Sequence, residues 1–309
     1  MFFPKDFIET AEGLLFAVVN PGLEQGKALC FLRYVKDGGE WRKQATAEAN
    51  AYLRRHHPDY LHYSPVLDAY LHAVEVERIV RCHQPRHRLR HIMQSHDHDP
   101  IERDVVALGV LLMQQGVDLD TVGITGSILV GAQKDSSDID LVSYGRGSFH
   151  HCRAGVRTLI EQNHLQDLAD SDWRESYQRR NCSLSYDEYV RHEKRKFNKA
   201  LVNGRKFDLS LIEQEEPGRK AVYQKLGPIT LICRIADDTR AFDYPSVYRI
   251  DHDSIAAIVC FTATYAGQAF NGERVEVSGM LEQNAQGVQQ IVVGSSREAH
   301  GEHIKVIDA

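Results

Sequence analysis

The chain has no Cys-x-x-Cys pair anywhere in its 309 residues. Its six cysteines, Cys30, Cys82, Cys152, Cys182, Cys233 and Cys260, are scattered along the sequence. That spacing excludes a zinc ribbon and the disulfide framework of a small secreted domain, and leads us to expect reduced core thiols in a cytoplasmic protein. No apolar run reaches the roughly 18–20 residues needed to cross a bilayer, so no membrane partner is expected. The opening segment MFFPKDFIETAEG carries acids early and has no continuous apolar stretch, so it does not read as a signal peptide. Excess base is missing too. Lys and Arg number 37 against 43 Asp and Glu, a net charge of −6, which excludes a bulk polycation. Any phosphate or nucleic-acid contact must come from a local basic patch. There is no internal repeat and no low-complexity tract.

What is present is an ordinary globular balance, 42% hydrophobic and 26% charged, with length for two or three domains. Residues 6–19 and 28–44 read as two strand-rich runs, the second turning at the glycines of KDGGEW. A helical pattern follows at 45–57. At 95–100, SHDHDP could suggest a metal site through His96 and His98. A helix start explains it better: Asp99 as N-cap, Pro100 at the first position and Glu102 at the third, opening an amphipathic helix that ends at Gly116. His96 and His98 then belong to a solvated linker. FHHCR at 149–153 is read the same way, since adjacent helical residues point in different directions. Further helices are expected at 148–164, at 172–180 with Asp172 and Glu175 as its capping pair, and from 185 to 202, where Ser185 and Glu188 form a capping box. From 218 onward helical patterns give way to short β runs broken by turn residues, as in a small sandwich or barrel. EEPGRK at 215–220 reads as a linker, and GSSREAHGEH at 294–303 as a polar turn.

The chemistry concentrates in GITGSILVGAQKDSSDIDLVSYG, residues 123–145. Asp138 and Asp140 alternate with Ile139 and Leu141, which puts both acids on one face of a strand. A later run, GRKFDLSLI, repeats the pattern and adds Asp208 on a polar face. If the two strands are neighbours, three carboxylates converge, and like charges that close need a compensating partner. Three carboxylates with waters suit Mg²⁺ or Mn²⁺. Upstream, Gly126 allows close approach of a phosphate to the backbone. Ser127 offers an N–H and a hydroxyl at the start of a short helix, SILVGA, whose N-terminus favours an anion.

The joint pattern is Gly126-Ser127, then Gly131, then Ser137-Asp138-Ile139-Asp140-Leu141, with a third acid on a later strand. It resembles the signature of the DNA polymerase β-like nucleotidyltransferase superfamily over about residues 100–213. Across the whole chain, RHEKRKFNKALVNGRKFDLSLI and TYAGQAFNGERVEVSGMLE look like an uncharacterised archaeal and bacterial group of predicted nucleotidyltransferases. The resemblance implies that Gly126 and Ser127 contact a nucleoside triphosphate, that Asp138 and Asp140 bind two metal ions, and that Asp208 completes the catalytic metal site and helps activate the attacking hydroxyl. Many relatives carry a base just after the Gly-Ser pair, where this chain has Ile128. Basic residues on the helix expected at 185–202, namely Arg191, Lys194, Arg195 and Lys199, are the candidates to replace it.

The expected architecture is therefore α+β. It comprises a small N-terminal α+β module over 1–94, a nucleotidyltransferase core with a mixed sheet over 95–216, and a β-rich, OB-like barrel over 217–309. Tyr244, Tyr248, Phe261, Tyr265 and Phe270 give that barrel aromatics of the kind that bind single strands, although the segment is slightly acidic. The expected activity is transfer of a nucleoside monophosphate from a triphosphate to an acceptor hydroxyl, such as an RNA or DNA end. The alternatives are a catalytically silent nucleotide- or nucleic-acid-binding protein and an antitoxin-like partner of another protein.

Overall fold

A computed structural model describes residues 2–65, 69–213, 222–295 and 299–308. The expected linker at 215–220 lies outside the described residues, as does the middle of the turn at 294–303. The fold is mixed α+β, with three sheets and seven α-helices among the described residues. Two compact units divide it. One takes the described residues of 1–165 and 201–218, the other those of 166–200 and 219–309.

In the first unit, seven strands form one sheet: β1 (Phe7–Thr10), β2 (Leu14–Val18), β3 (Lys27–Asp37), β4 (Glu40–Lys43), β5 (Leu61–Ser64), β6 (Ala69–Glu75) and β7 (Ile79–His83). Their order is β5-β6-β3-β2-β1-β7, with β4 hairpinned onto β3. The expected turn of KDGGEW is that hairpin, with Gly38 and Gly39 both at positive φ (59° and 95°). Alternation along β2 assigns the faces. Leu14 and Phe16 enter the core under helix α1 (Thr46–His56), beside its Ala49 and Leu53. Leu15 points the other way, into a cluster with Phe7, Tyr34, Leu129 and Val130. The sheet is thus buried on both faces, and the second face is covered by the segment that follows Gly126. An independent module over 1–94 does not result, because that face would be left open without Leu129 and Val130.

The rest of this unit has helices α2 (Pro85–Gln94), α3 (Pro100–Gln114), the single turn α4 (Gly126–Leu129) and α5 (Arg146–Glu161). Strands β8 (Val122–Thr125), β9 (Ile139–Tyr144), β10 (Lys199–Val202) and β11 (Arg205–Ile212) make a second sheet in the order β10-β11-β9-β8. Asp99 caps α3 as expected: its Oδ1 accepts from the N–H groups of Ile101 and Glu102, each at 2.8 Å. Asn203 and Gly204, both at positive φ (51° and 80°), close the two-residue turn between β10 and β11.

The second unit pairs two helices, α6 (Asp170–Arg180) and α7 (Tyr186–Lys194), with a third sheet. Its strands are β12 (Tyr223–Arg240), β13 (Ser246–Asp251), β14 (Ile255–Cys260), β15 (Arg274–Asn284), β16 (Gln289–Val293) and β17 (His303–Asp308). The order β12-β13-β14-β16-β15 closes on itself, because β15 also pairs with β12. β14 and β16 run parallel, and β17 extends β15. β15 changes partner at Gly279, from β17 up to Ser278 to β16 from Met280. A Cβ at position 279 would lie 2.4 Å from the Val292 carbonyl, so only glycine permits that approach. Trp173, Leu184 and Tyr189 join the interior of the ring with Ile235, Tyr248 and Val277, which is why residues 166–200 belong with the β tail.

Three local expectations are corrected. Asp172 sits at the third position of α6, not at its cap, and its Oδ2 accepts from the N–H of Ala169 at 2.9 Å. The capping box at Ser185 holds, but α7 stops at Lys194 and does not run to 202. The chain reverses at Phe197, whose φ is +49°, so that Lys196 and Lys199 both reach the buried carboxylate of Glu193. Of the five barrel aromatics, Tyr248 and Tyr265 are core residues joined by a 2.6 Å bond from the Tyr248 hydroxyl to the Tyr265 carbonyl. Phe270 lies under the Arg195 guanidinium at 4.5 Å. Tyr244 (68% exposed) and Phe261 (42%) face solvent and meet edge-on at 6.4 Å.

His192 offers a direct test of packing in the second unit. It is wholly buried, donates from Nδ1 to the Glu188 carbonyl at 2.5 Å and accepts the Val306 N–H on Nε2 at 3.1 Å. That pattern needs a neutral ring. Burial, reinforced by the nearby Arg191, Lys196 and Arg195 charges, pushes its pKa down to about 4. Below the ordinary value near 6.5 the unfolded chain takes up a proton that the folded chain refuses. Stability should therefore fall from pH 6.5 towards pH 4, by on the order of 1.4 kcal/mol per pH unit at most. Urea unfolding at a series of pH values should show this slope in the wild type and a shallower one in His192→Gln.

Candidate functional site

The second sheet of the first unit brings the sequence-identified acids together. β9 and β11 run parallel, with Asp208 directly opposite Asp140, Phe207 opposite Ile139 and Leu209 opposite Leu141. β8 flanks β9 on the other side and puts Thr125 opposite Asp140. Asp138, two residues before Asp140, shares its face. Ile139, Leu141, Phe207 and Leu209 are all buried beneath. The strand alternation read from the sequence thus describes both strands, and the register aligns their acids.

Gly126 is bound to this arrangement sterically. Its φ is +68°, and a Cβ there would lie 2.2 Å from Asp140 Oδ2. Conformation and space each demand glycine, so the backbone at Gly126-Ser127 rests against the Asp140 carboxylate. The helix after it is a single turn, so it can offer N–H groups and the Ser127 hydroxyl but little macrodipole. Ile128 is wholly buried (0% exposed), which explains the absence of a base at that position.

Burial first, then the Asp208 charge, raises the pKa of Asp140; Asp138 acts in the same direction, and Lys5 and Lys43 act against it. Lys206 Nζ stands 3.9 Å from Asp138 Oδ2. Among the described residues no three acids, histidines or cysteines are already gathered as a ligand set. The register nevertheless sets Asp208 opposite Asp140, with Asp138 just before β9, and the oxygen-only donors of these carboxylates suit a hard divalent cation such as Mg²⁺ or Mn²⁺.

Several residues missed by sequence reasoning hold this face in place. Arg205 donates from Nη1 to the carbonyls of Asp135 (2.8 Å) and Ser137 (2.9 Å), and its Nε pairs with Asp104 at 2.7 Å. It thereby fixes the turn that delivers Asp138. Arg88 donates to the Ile128 carbonyl at 3.0 Å and pairs with Glu102 at 2.6 Å. Gln133 donates to the free oxygen of the Asp99 cap at 2.9 Å, tying the same loop to α3. From the turn before β1, the Lys5 carbonyl accepts the Thr125 hydroxyl at 2.9 Å. Arg88 stands far from the motif in sequence, and Arg205, though in the Asp208 run, carries no local sign of its distant partners.

The four basic residues expected near the phosphates lie in the second unit and are engaged there. Arg191 donates to the Val306 carbonyl at 2.6 Å, Lys194 pairs with Asp167 at 3.3 Å, Arg195 pairs with Glu273 and Lys199 pairs with Glu193. His98 bonds the Ile92 carbonyl at 2.8 Å, as suits a linker. In FHHCR, Phe149 and Cys152 are buried while His151 reaches the Gln115 carbonyl at 3.0 Å, so the two histidines do not converge. All six cysteines are free thiols. Among the described residues no helix is long and apolar enough to cross a membrane.

With this geometry in view, one comparison places the chain. It is 34% identical, over 98% of its own length and 98% of the relative's, to the uncharacterised protein MJ1086 of Methanocaldococcus jannaschii. The chain belongs to the family of that protein. No family model matches it, and no solved structure does.

Two substitutions test the site. Asp140→Asn removes one of three mutually repelling charges. Because the raised pKa of Asp140 means that its ionised form is disfavoured by folding, stability from this residue is lost as pH rises above about 4. In metal-free buffer at pH 7, Asp140→Asn should melt above wild type, whereas Mn²⁺ should raise the melting temperature of wild type more than that of the variant. Gly126→Ala should lose about 1–3 kcal/mol of stability in urea unfolding, from the strained φ and the displaced carboxylate.

Proposed function

We propose that the protein is a metal-dependent nucleotidyltransferase, with a polymerase β-like core around β8, β9 and β11 and an OB-like barrel in the second unit. The parallel register of Asp208 on Asp140, with Gly126 packed against the same carboxylate, carries this reading. The closed five-strand ring supports the barrel assignment.

Asp138, Asp140 and Asp208 would hold Mg²⁺ or Mn²⁺. The bound metal would neutralise the triphosphate and the charge that develops on the reacting oxygens. Gly126 keeps the backbone low enough for the phosphates to reach the N–H groups and the Ser127 hydroxyl. Asp208, facing Asp140 across the strand pair, accepts the proton of the attacking hydroxyl. That oxygen bonds to the α-phosphorus in line, the α–β bridge breaks, and pyrophosphate leaves. An RNA or DNA end is the acceptor we favour. The exposed pair Tyr244 and Phe261 gives the barrel an aromatic surface on which a base can stack.

Incubation with each α-labelled triphosphate and Mg²⁺ or Mn²⁺, followed by separation of RNA, protein and small-molecule fractions, tests the proposal. Label should enter one fraction with wild type and fall by at least ~100-fold with Asp138→Ala or Asp208→Ala. No transfer to any fraction, with triphosphate binding retained in Asp208→Ala without metal, would identify a silent binding protein instead.

A further inference from the structure

We propose that the N-terminal sheet and the turn leading into it supply further cations that receive the triphosphate, through Lys43 on β4 and Lys5 before β1. This assignment rests on the nucleotidyltransferase reading and deepens it. The place after Gly126-Ser127 is closed to a base, because Ile128 is wholly buried. Arg191, Lys194, Arg195 and Lys199 each already have a partner in the second unit. Lys206 already stands 3.9 Å from Asp138 Oδ2, and the first unit places two further lysines by the segments that carry Asp140 and the Gly-Ser pair.

Lys5 is placed by its backbone. Its carbonyl accepts the hydroxyl of Thr125, the residue opposite Asp140 on the neighbouring strand. Its N–H donates to the Val18 carbonyl at 3.0 Å, which holds it at a φ of 74°. Lys43 is placed by register. It lies opposite Tyr34 on β3, and the Tyr34 ring packs with Leu129 and Val130 just after the Gly-Ser pair. Both lysines are exposed, and among the described residues neither forms an ion pair with a carboxylate.

Phosphates arriving at Gly126 would meet these two ammonium groups as well as the carboxylates. A lysine is suited to this as a compact point charge on a flexible stem.

The test uses the whole protein and inorganic tripolyphosphate with Mg²⁺, a probe that carries no base. Lys5→Gln and Lys43→Gln should each weaken its binding by roughly 10-fold, and the double variant by more, with a flatter salt dependence. Mn²⁺ binding, read by electron paramagnetic resonance, should stay unchanged or tighten, because the carboxylates are intact. Lys43→Arg should restore most of the affinity lost in Lys43→Gln. Both positions are exposed, so melting temperatures should stay near wild type. Tripolyphosphate binding by wild type that survives in the double variant would overturn the lysine assignment and leave the nucleotidyltransferase reading standing. Failure of wild type to bind either tripolyphosphate or any nucleoside triphosphate would overturn that reading, and the lysine assignment with it.

Discussion

Asp140 and Asp208 face each other across a parallel strand pair, with Asp138 on the same side and Gly126 pressed against one of the carboxylates. Left alone, such a group repels itself and resists burial, and the raised pKa of Asp140 expresses that cost. The surrounding structure can be understood as what makes the cost tolerable. Buried Ile139, Leu141, Phe207 and Leu209 anchor the strands from below. Arg205 and Gln133 fix the incoming turn. Each contact removes freedom the carboxylates would otherwise use to separate.

The seven-stranded sheet is tied to the same constraint. Its strands alternate between two buried faces, one covered by α1 and the other by Leu129 and Val130. The segment that follows Gly126 is therefore also a wall of the N-terminal core. Packing of that kind holds a single-turn helix in place without the length or caps that isolated helices need. It also brings the positive charges of Lys5 and Lys43 towards the acids.

The second unit follows a different principle. Its strands close into a ring, which leaves few unpaired edges, and α6 and α7 fill its interior with Trp173 and Tyr189. Charges inside it are satisfied in sets: Glu193 with Lys196 and Lys199, and the neutral His192 between two backbone groups. Burial works to raise the Glu193 pKa, but the Lys196 and Lys199 ammonium groups beside it bring it down to about 2. Cations that read as a helix face in the sequence are thus internal ties.

The sequence by itself determined the strand faces and the Asp99 and Ser185 caps, because each depends on neighbours a few residues apart. It also pointed to Asp208, since alternation repeats around it. Only the tertiary structure decided the rest. It set the register that aligns Asp208 with Asp140, 68 positions apart in the chain. It ended α7 at Lys194, because a buried carboxylate drew the chain back on itself. It buried Tyr248 and Tyr265 while leaving Tyr244 and Phe261 in solvent, a difference of ring closure rather than of residue type. And it joined residues 1–94 to the acidic strands, because a sheet with two apolar faces needs a second cover, and local periodicity does not say which distant segment provides it.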